Sequence, residues 1–129
     1  MIPSRESRPV FFALVAPTEP VAGEAVVRFR EQLEQAIAAG STRLLVDLRR
    51  AGPVGTGALN ALLRARGLFL GHGGRIALVA QPRLRRFCES TGLDRRFLVA
   101  DDRLGAAEKL GLIAAPNGAR ERPRTARVA

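Results

Sequence analysis

The chain has one cysteine, one histidine, one lysine, and neither tryptophan nor tyrosine. A single cysteine, Cys88, cannot close an internal disulfide, so the expected setting is a reduced, cytoplasmic one. A single histidine, His72, in a Gly-His-Gly-Gly turn, leaves no zinc set and no Cys–His or Ser–His pair. It reads as a loop residue, Cys88 as core filling. Without tryptophan or tyrosine there is little to stack on nucleic-acid bases, and no helix-turn-helix or zinc pattern is present. No apolar run approaches the ~18 residues of a membrane span. The opening MIPSRESRPV has arginines but no apolar stretch ending in a cleavage site, so no signal peptide is expected. No enzyme activity, metal or cofactor is expected from this inventory.

What is present is a chain of 129 residues, 47% hydrophobic, with a net charge of +9. That length supports one domain with a modest core. Arg120, Arg122, Arg124 and Arg127 sit near the C-terminus against Glu121 alone. Residues 114–129 therefore read as a disordered basic tail, residues 1–9 as an N-terminal extension, and residues 10–113 as the folded domain. The remaining positive charge is spread over every element, which argues against a specific nucleic-acid surface.

Strands and helices alternate along the domain. Val10 to Val15 is an apolar run of a strand covered on both faces. Pro17 and Pro20 force a loop. A helix over Gly23 to Ala39 carries the stripe Val26, Phe29, Leu33 and Ile37, with Arg30 and Glu34 paired outside, and Gly40 stops it. Arg43 to Leu48 is a second strand, Thr56 to Leu70 a second helix, and Arg75 to Ala80 a third strand. Pro82 opens a third helix with Leu84, Phe87 and Cys88 inward, and Gly92 ends it. Phe97 to Ala100 is a short fourth strand. Asp101 is expected to cap a fourth helix holding Leu104, Ala107 and Leu110, the role read for the Asp101–Asp102 pair. This βαβαβαβα order predicts an α/β fold: a four-stranded, mostly parallel sheet with about four helices.

The connector between the second strand and second helix, RRAGPVGTG, is the most informative segment. It lies beyond the carboxyl end of a parallel strand, where such sheets bear their functional loops. A helix start offers free backbone N–H groups, and the hydroxyl of Thr56 stands among them. The site suits a phosphate, free or covalently attached; as a purely structural residue, Thr56 is expected to act as the N-cap. The spacing Gly52-Pro-Val-Gly55-Thr-Gly57 matches neither common nucleotide-binding glycine motif, and no lysine follows. A nucleotide-binding module is thus a remote alternative.

Three patterns together resemble the STAS domain of bacterial anti-sigma factor antagonists. One is the strand ending in Asp47-Leu48 with its glycine loop into a helix. The others are GHGGRIALVAQPRLRRF and ESTGLDRRFLVADD, and the resemblance extends over about Val10 to Gly111. It implies a non-enzymatic binding protein in a partner-switching pathway. The implied partner is an anti-sigma factor of histidine-kinase-like ATPase fold, and the protein itself a monomer or weak dimer. The family's Asp-Ser-Ser-Gly falls on Gly55, Thr56, Gly57 and Ala58, so the phosphoacceptor position falls on Thr56. The expected partner-binding face is Pro53, Val54, Gly55, Thr56 and Gly57 with Asn60 and Arg64 of the following helix. The acid before the acceptor, the second serine and the glycine are all replaced. Of the Gly-Glu-Leu-Asp that precedes the first helix in the family, only Glu19 remains, among Thr18, Pro20 and Val21, and the segment before Val10 is short for the extra strand usual there. A degenerate, unphosphorylated STAS scaffold or subunit of a larger complex is the alternative.

Overall fold

The computed structural model describes residues 11–71 and 73–113. Residues 1–10, His72 and 114–129, and with them the expected N-terminal extension, the loop role of His72 and the expected basic tail, lie outside the described residues. Along the chain run β1 (Phe12–Val15), α1 (Glu24–Ala38), β2 (Arg43–Asp47), α2 (Thr56–Leu70), β3 (Arg75–Val79), α3 (Pro82–Thr91), a single 3-10 turn (Leu93–Arg95), β4 (Leu98–Ala100) and α4 (Arg103–Lys109). The predicted alternation is observed; the 3-10 turn is an addition to it.

Among the described residues all strand pairs are parallel and the order is β1-β2-β3-β4. Val46 sits between Val15 and Leu78, and Asp47 beside Val79. A sheet that grows in one direction through right-handed crossovers gathers its connecting helices on one face. There, Phe29 and Leu33 of α1 and Ala58, Leu62 and Phe69 of α2 pack on Val15, Leu44, Val46, Ile76 and Leu78. Strand residues alternate between faces. Leu45, Ala77, Val79 and Ala100 accordingly point the other way, where Ala106 and Leu110 of α4 cover them.

Three local expectations are corrected. The N-cap of α4 is Asp102, whose carboxylate accepts the Gly105 N–H at 2.7 Å; Asp101 turns instead to pair with Arg85 of α3. Leu104 and Phe87 are exposed, because α4 contacts the sheet through Ala106 and Leu110 and α3 fully buries only Cys88. Glu34 faces Arg64 of α2 at 3.8 Å rather than pairing with Arg30. Gly92 adopts a left-handed conformation (φ 81°) that ends α3 as expected. Cys88 is a free, buried thiol; burial pushes its pKa up, with Asp94 and Glu89 adding to the effect. It is therefore a poor nucleophile at neutral pH.

Candidate functional site

Asp47 ends β2, and its side chain is only 4% exposed. A carboxylate so placed must be hydrogen-bonded or give up its charge. Its Oδ1 accepts the backbone N–H of Arg49 at 3.1 Å and Arg49 Nε at 3.1 Å. Its Oδ2 accepts Arg49 Nη2 at 2.9 Å and Arg103 Nε at 2.7 Å. Burial alone would raise its pKa; the bonds from Arg49 and Arg103 outweigh burial and hold it at about 2. The guanidinium of Arg49 is reciprocally stabilised by Asp47. The first turn beyond β2 is thus tied to the strand end through a charged, fully bonded pair.

Further ties run along the connector. The Arg49 carbonyl accepts Gln81 Nε2 at 2.7 Å, at the entrance to α3. Gly52 adopts φ 70°, where a side chain would be strained and would meet Pro20. Val54 forms a parallel bridge with Val21, itself 1% exposed. The loop is held from beneath at three places while Pro53, Gly55, Thr56 and Gly57 face outward.

Thr56 is the first residue of α2, and its cap is Gly55 in an extended conformation with no side-chain cap bond. The expectation that Thr56 caps the helix is therefore corrected: Gly55 already takes the extended backbone that a cap requires, and the helix begins one residue earlier than a Thr56 cap needs. The hydroxyl is exposed and has no hydrogen-bond partner among the described residues. α2 contains no acidic residue, so a negative charge at Thr56 meets the positive end of a 15-residue helix without an opposing carboxylate from it. Gly57 has a packing role as well: a Cβ there would stand 3.3 Å from Val26 of α1. Asn60 and Arg64 follow Thr56 at four-residue intervals, and both are exposed. The structure thus brings the expected residues, Pro53 to Gly57 with Asn60 and Arg64, to one end and one outer side of α2.

Sequence reasoning missed the anchors: Asp47 as the buried fastener, Arg103 from α4 and Gln81 from the β3–α3 link. The one visible signal was a carboxylate closing the apolar run Leu44-Leu45-Val46. No group of three or more metal-ligating side chains occurs among the described residues, and no helix there is long and apolar enough to cross a membrane.

A protein-family model described as "Mlab, STAS domain" matches residues 20–100. The chain belongs to the STAS domain family. That match takes in the Asp47–Thr56 connector and the strands β2, β3 and β4. No curated protein matches the sequence. Among solved structures, this STAS domain is similar to TM1081 of Thermotoga maritima, a candidate anti-sigma factor antagonist. The TM-score is 0.70 at 18% identity, over 78% of this chain and 87% of that one. It is also similar to the anti-sigma factor antagonist SpoIIAA in its unphosphorylated form, with a TM-score of 0.53 at 18% identity, over 74% and 93% of the two chains. The phosphorylated form of SpoIIAA, a Bacillus cell-fate determinant, gives 0.53 at 19%, over 77% and 85%. At these identities the likeness is one of fold, and the STAS fold accounts for the parallel sheet with the site at its carboxyl edge.

Proposed function

We propose that this STAS domain is a non-enzymatic, cytoplasmic anti-sigma factor antagonist. Its partner is an anti-sigma factor of histidine-kinase-like ATPase fold, bound through Pro53–Gly57 and the outer side of α2 with Asn60 and Arg64. The folded unit of residues 10–113, a monomer or weak dimer, is flanked by an N-terminal extension and a basic tail. The observation that supports this reading most is the exposed Thr56 hydroxyl at the first turn of α2, on a loop fastened from beneath. Phosphate there adds about −1.5 to −2 charges. The helix start accommodates that charge, so the domain itself changes little. A partner packed on the loop must instead desolvate a dianion, and a penalty of ~3 kcal/mol weakens binding by more than a hundredfold. The switch is a local event read by a second protein.

A second reading, an unphosphorylated STAS scaffold within a larger complex, draws on Gly55. A Cβ at that position has nothing within 4 Å, so packing does not demand the loss of the family's acid there. Pull-down of partners from native cells with mass spectrometry separates the two. A histidine-kinase-like ATPase that phosphorylates Thr56 supports the switch, and a stable complex with no phosphate on Thr56 supports the scaffold.

A further inference from the structure

α3 is loosely seated. Of its ten residues only Cys88 is fully buried, while Leu84 is half-buried and Phe87 is 43% exposed. Between this helix and the β2–α2 connector lies a groove of about 630 Å³, within the range of roughly 300–1,000 Å³ usual for ligand clefts. Its apolar lining comes from both sides: Leu48, Pro53 and Val54 from the connector, Leu84 and Phe87 from α3. Two arginines, Arg49 and Arg83, border it, and no acidic residue lines it. Arg83 has no ion-pair partner among the described residues. An exposed phenylalanine facing a half-buried valine across open space is apolar surface that the domain itself leaves uncovered.

Building on the docking role proposed for the Pro53–Gly57 loop, we propose that this groove receives an apolar side chain from an acidic segment of the same protein partner. The apolar walls take a Leu-sized or aromatic anchor, the kind of buried residue that dominates protein interfaces. Arg83, which has no ion-pair partner among the described residues, selects for Asp or Glu next to that anchor and repels a basic segment, while the charge of Arg49 is already engaged by Asp47. The groove is continuous with the phosphoacceptor loop, because Pro53 and Val54 form its wall and lead directly into Gly55 and Thr56. A partner covering Thr56 therefore reaches the groove with adjoining residues. Gln81, bonded to the Arg49 carbonyl, keeps the connector and the start of α3 together as a preformed seat.

The test is selection of a displayed library of short random peptides on the full chain, followed by amide-shift mapping of the best binders. The expected result is a consensus of one large apolar residue flanked by Asp or Glu, with shifts centred on Val54, Leu84 and Phe87. Affinity for those peptides should fall about thirtyfold in Phe87→Ala. It should fall about tenfold or more in Arg83→Glu, and it should weaken as salt is added. Arg75→Glu, on an exposed residue at the opposite end of β3, should leave it unchanged. Neutral or basic consensus sequences, shifts mapping elsewhere, or affinities untouched by Phe87→Ala and Arg83→Glu would overturn the proposal. Peptide capture does not involve Thr56 chemistry. Its failure is therefore distinct from failure of the antagonist role, which is read from partner binding by Thr56 variants.

Discussion

Arg103 of α4 places its Nε 2.7 Å from Oδ2 of Asp47, joining residues 56 positions apart at the carboxyl end of the sheet. The same carboxylate holds the Arg49 backbone at the first turn of the β2–α2 connector. One buried charge thus ties β2, α4 and the loop bearing Thr56.

Its removal has a defined pH signature. The carboxyl pKa falls from 3.8 to about 2 on folding, so its contribution is fully present above pH ~4 and is lost as pH falls towards 2. The difference amounts to about 2 kcal/mol. Asp47→Asn should cost about 2–3 kcal/mol at neutral pH, since it removes the charge and one of the two acceptor oxygens shared by Arg49 and Arg103. It should also flatten the loss of stability between pH 4 and pH 2. Urea unfolding across that range checks both; a variant with the wild-type acid slope would mean that Asp47 is not the titrating fastener.

Gly55 occupies the N-cap of α2 with extended backbone and free space around an added Cβ. Gly55→Asp should therefore fold unchanged and gain ~0.5 kcal/mol, through a side-chain cap and the favourable charge at a helix start. It also restores the acid that precedes the acceptor in the family motif. Thermal unfolding reads the first effect and the phosphorylation rate at Thr56 the second. A lower melting temperature would contradict the cap geometry.

The sequence made the elements legible wherever glycine and proline punctuate it. α2 spans Thr56–Leu70 and α3 begins at Pro82 and ends at Gly92, as the pattern predicts. The errors arose where tertiary partners decide. Asp101 and Asp102 are equivalent as local capping residues, and only Arg85, sixteen positions away, draws Asp101 off to the side. Phe87 reads as core on helical spacing, yet α3 buries Cys88 and leaves Phe87 exposed. The placement of Thr56 among the outward residues was legible because a glycine loop must end where a helix starts. Its supports were not, because the bonds from Arg103 and Gln81 to this turn span 56 and 32 positions. The same is true of the groove between connector and α3.

The connector lacks a lysine, and no acid is placed to hold a ribose. Calorimetry with ATP, GTP or NAD should show no saturable binding at sub-millimolar concentration. Micromolar affinity abolished by a bulky residue at Gly57 would contradict the reading of this loop as a protein-docking surface.

Deleting residues 116–129 removes four arginines and one glutamate, taking the net charge from +9 to +6. Any DNA affinity should drop with this deletion and with added salt, while partner binding stays the same. Sequence-specific binding that survives at physiological salt would contradict a purely charge-driven contact.

The central claim rests on Thr56. Its side chain makes no cap bond, so Thr56→Ala should change stability by less than ~0.5 kcal/mol. A carboxylate at the first turn is favourable by ~0.3–1 kcal/mol, so Thr56→Glu should also fold. The most direct test is titration of the proposed kinase-type anti-sigma partner with wild type, Thr56→Ala and Thr56→Glu side by side. Thr56→Ala should bind with wild-type affinity and Thr56→Glu about tenfold or more weakly; equal affinity of all three would contradict a switch at Thr56.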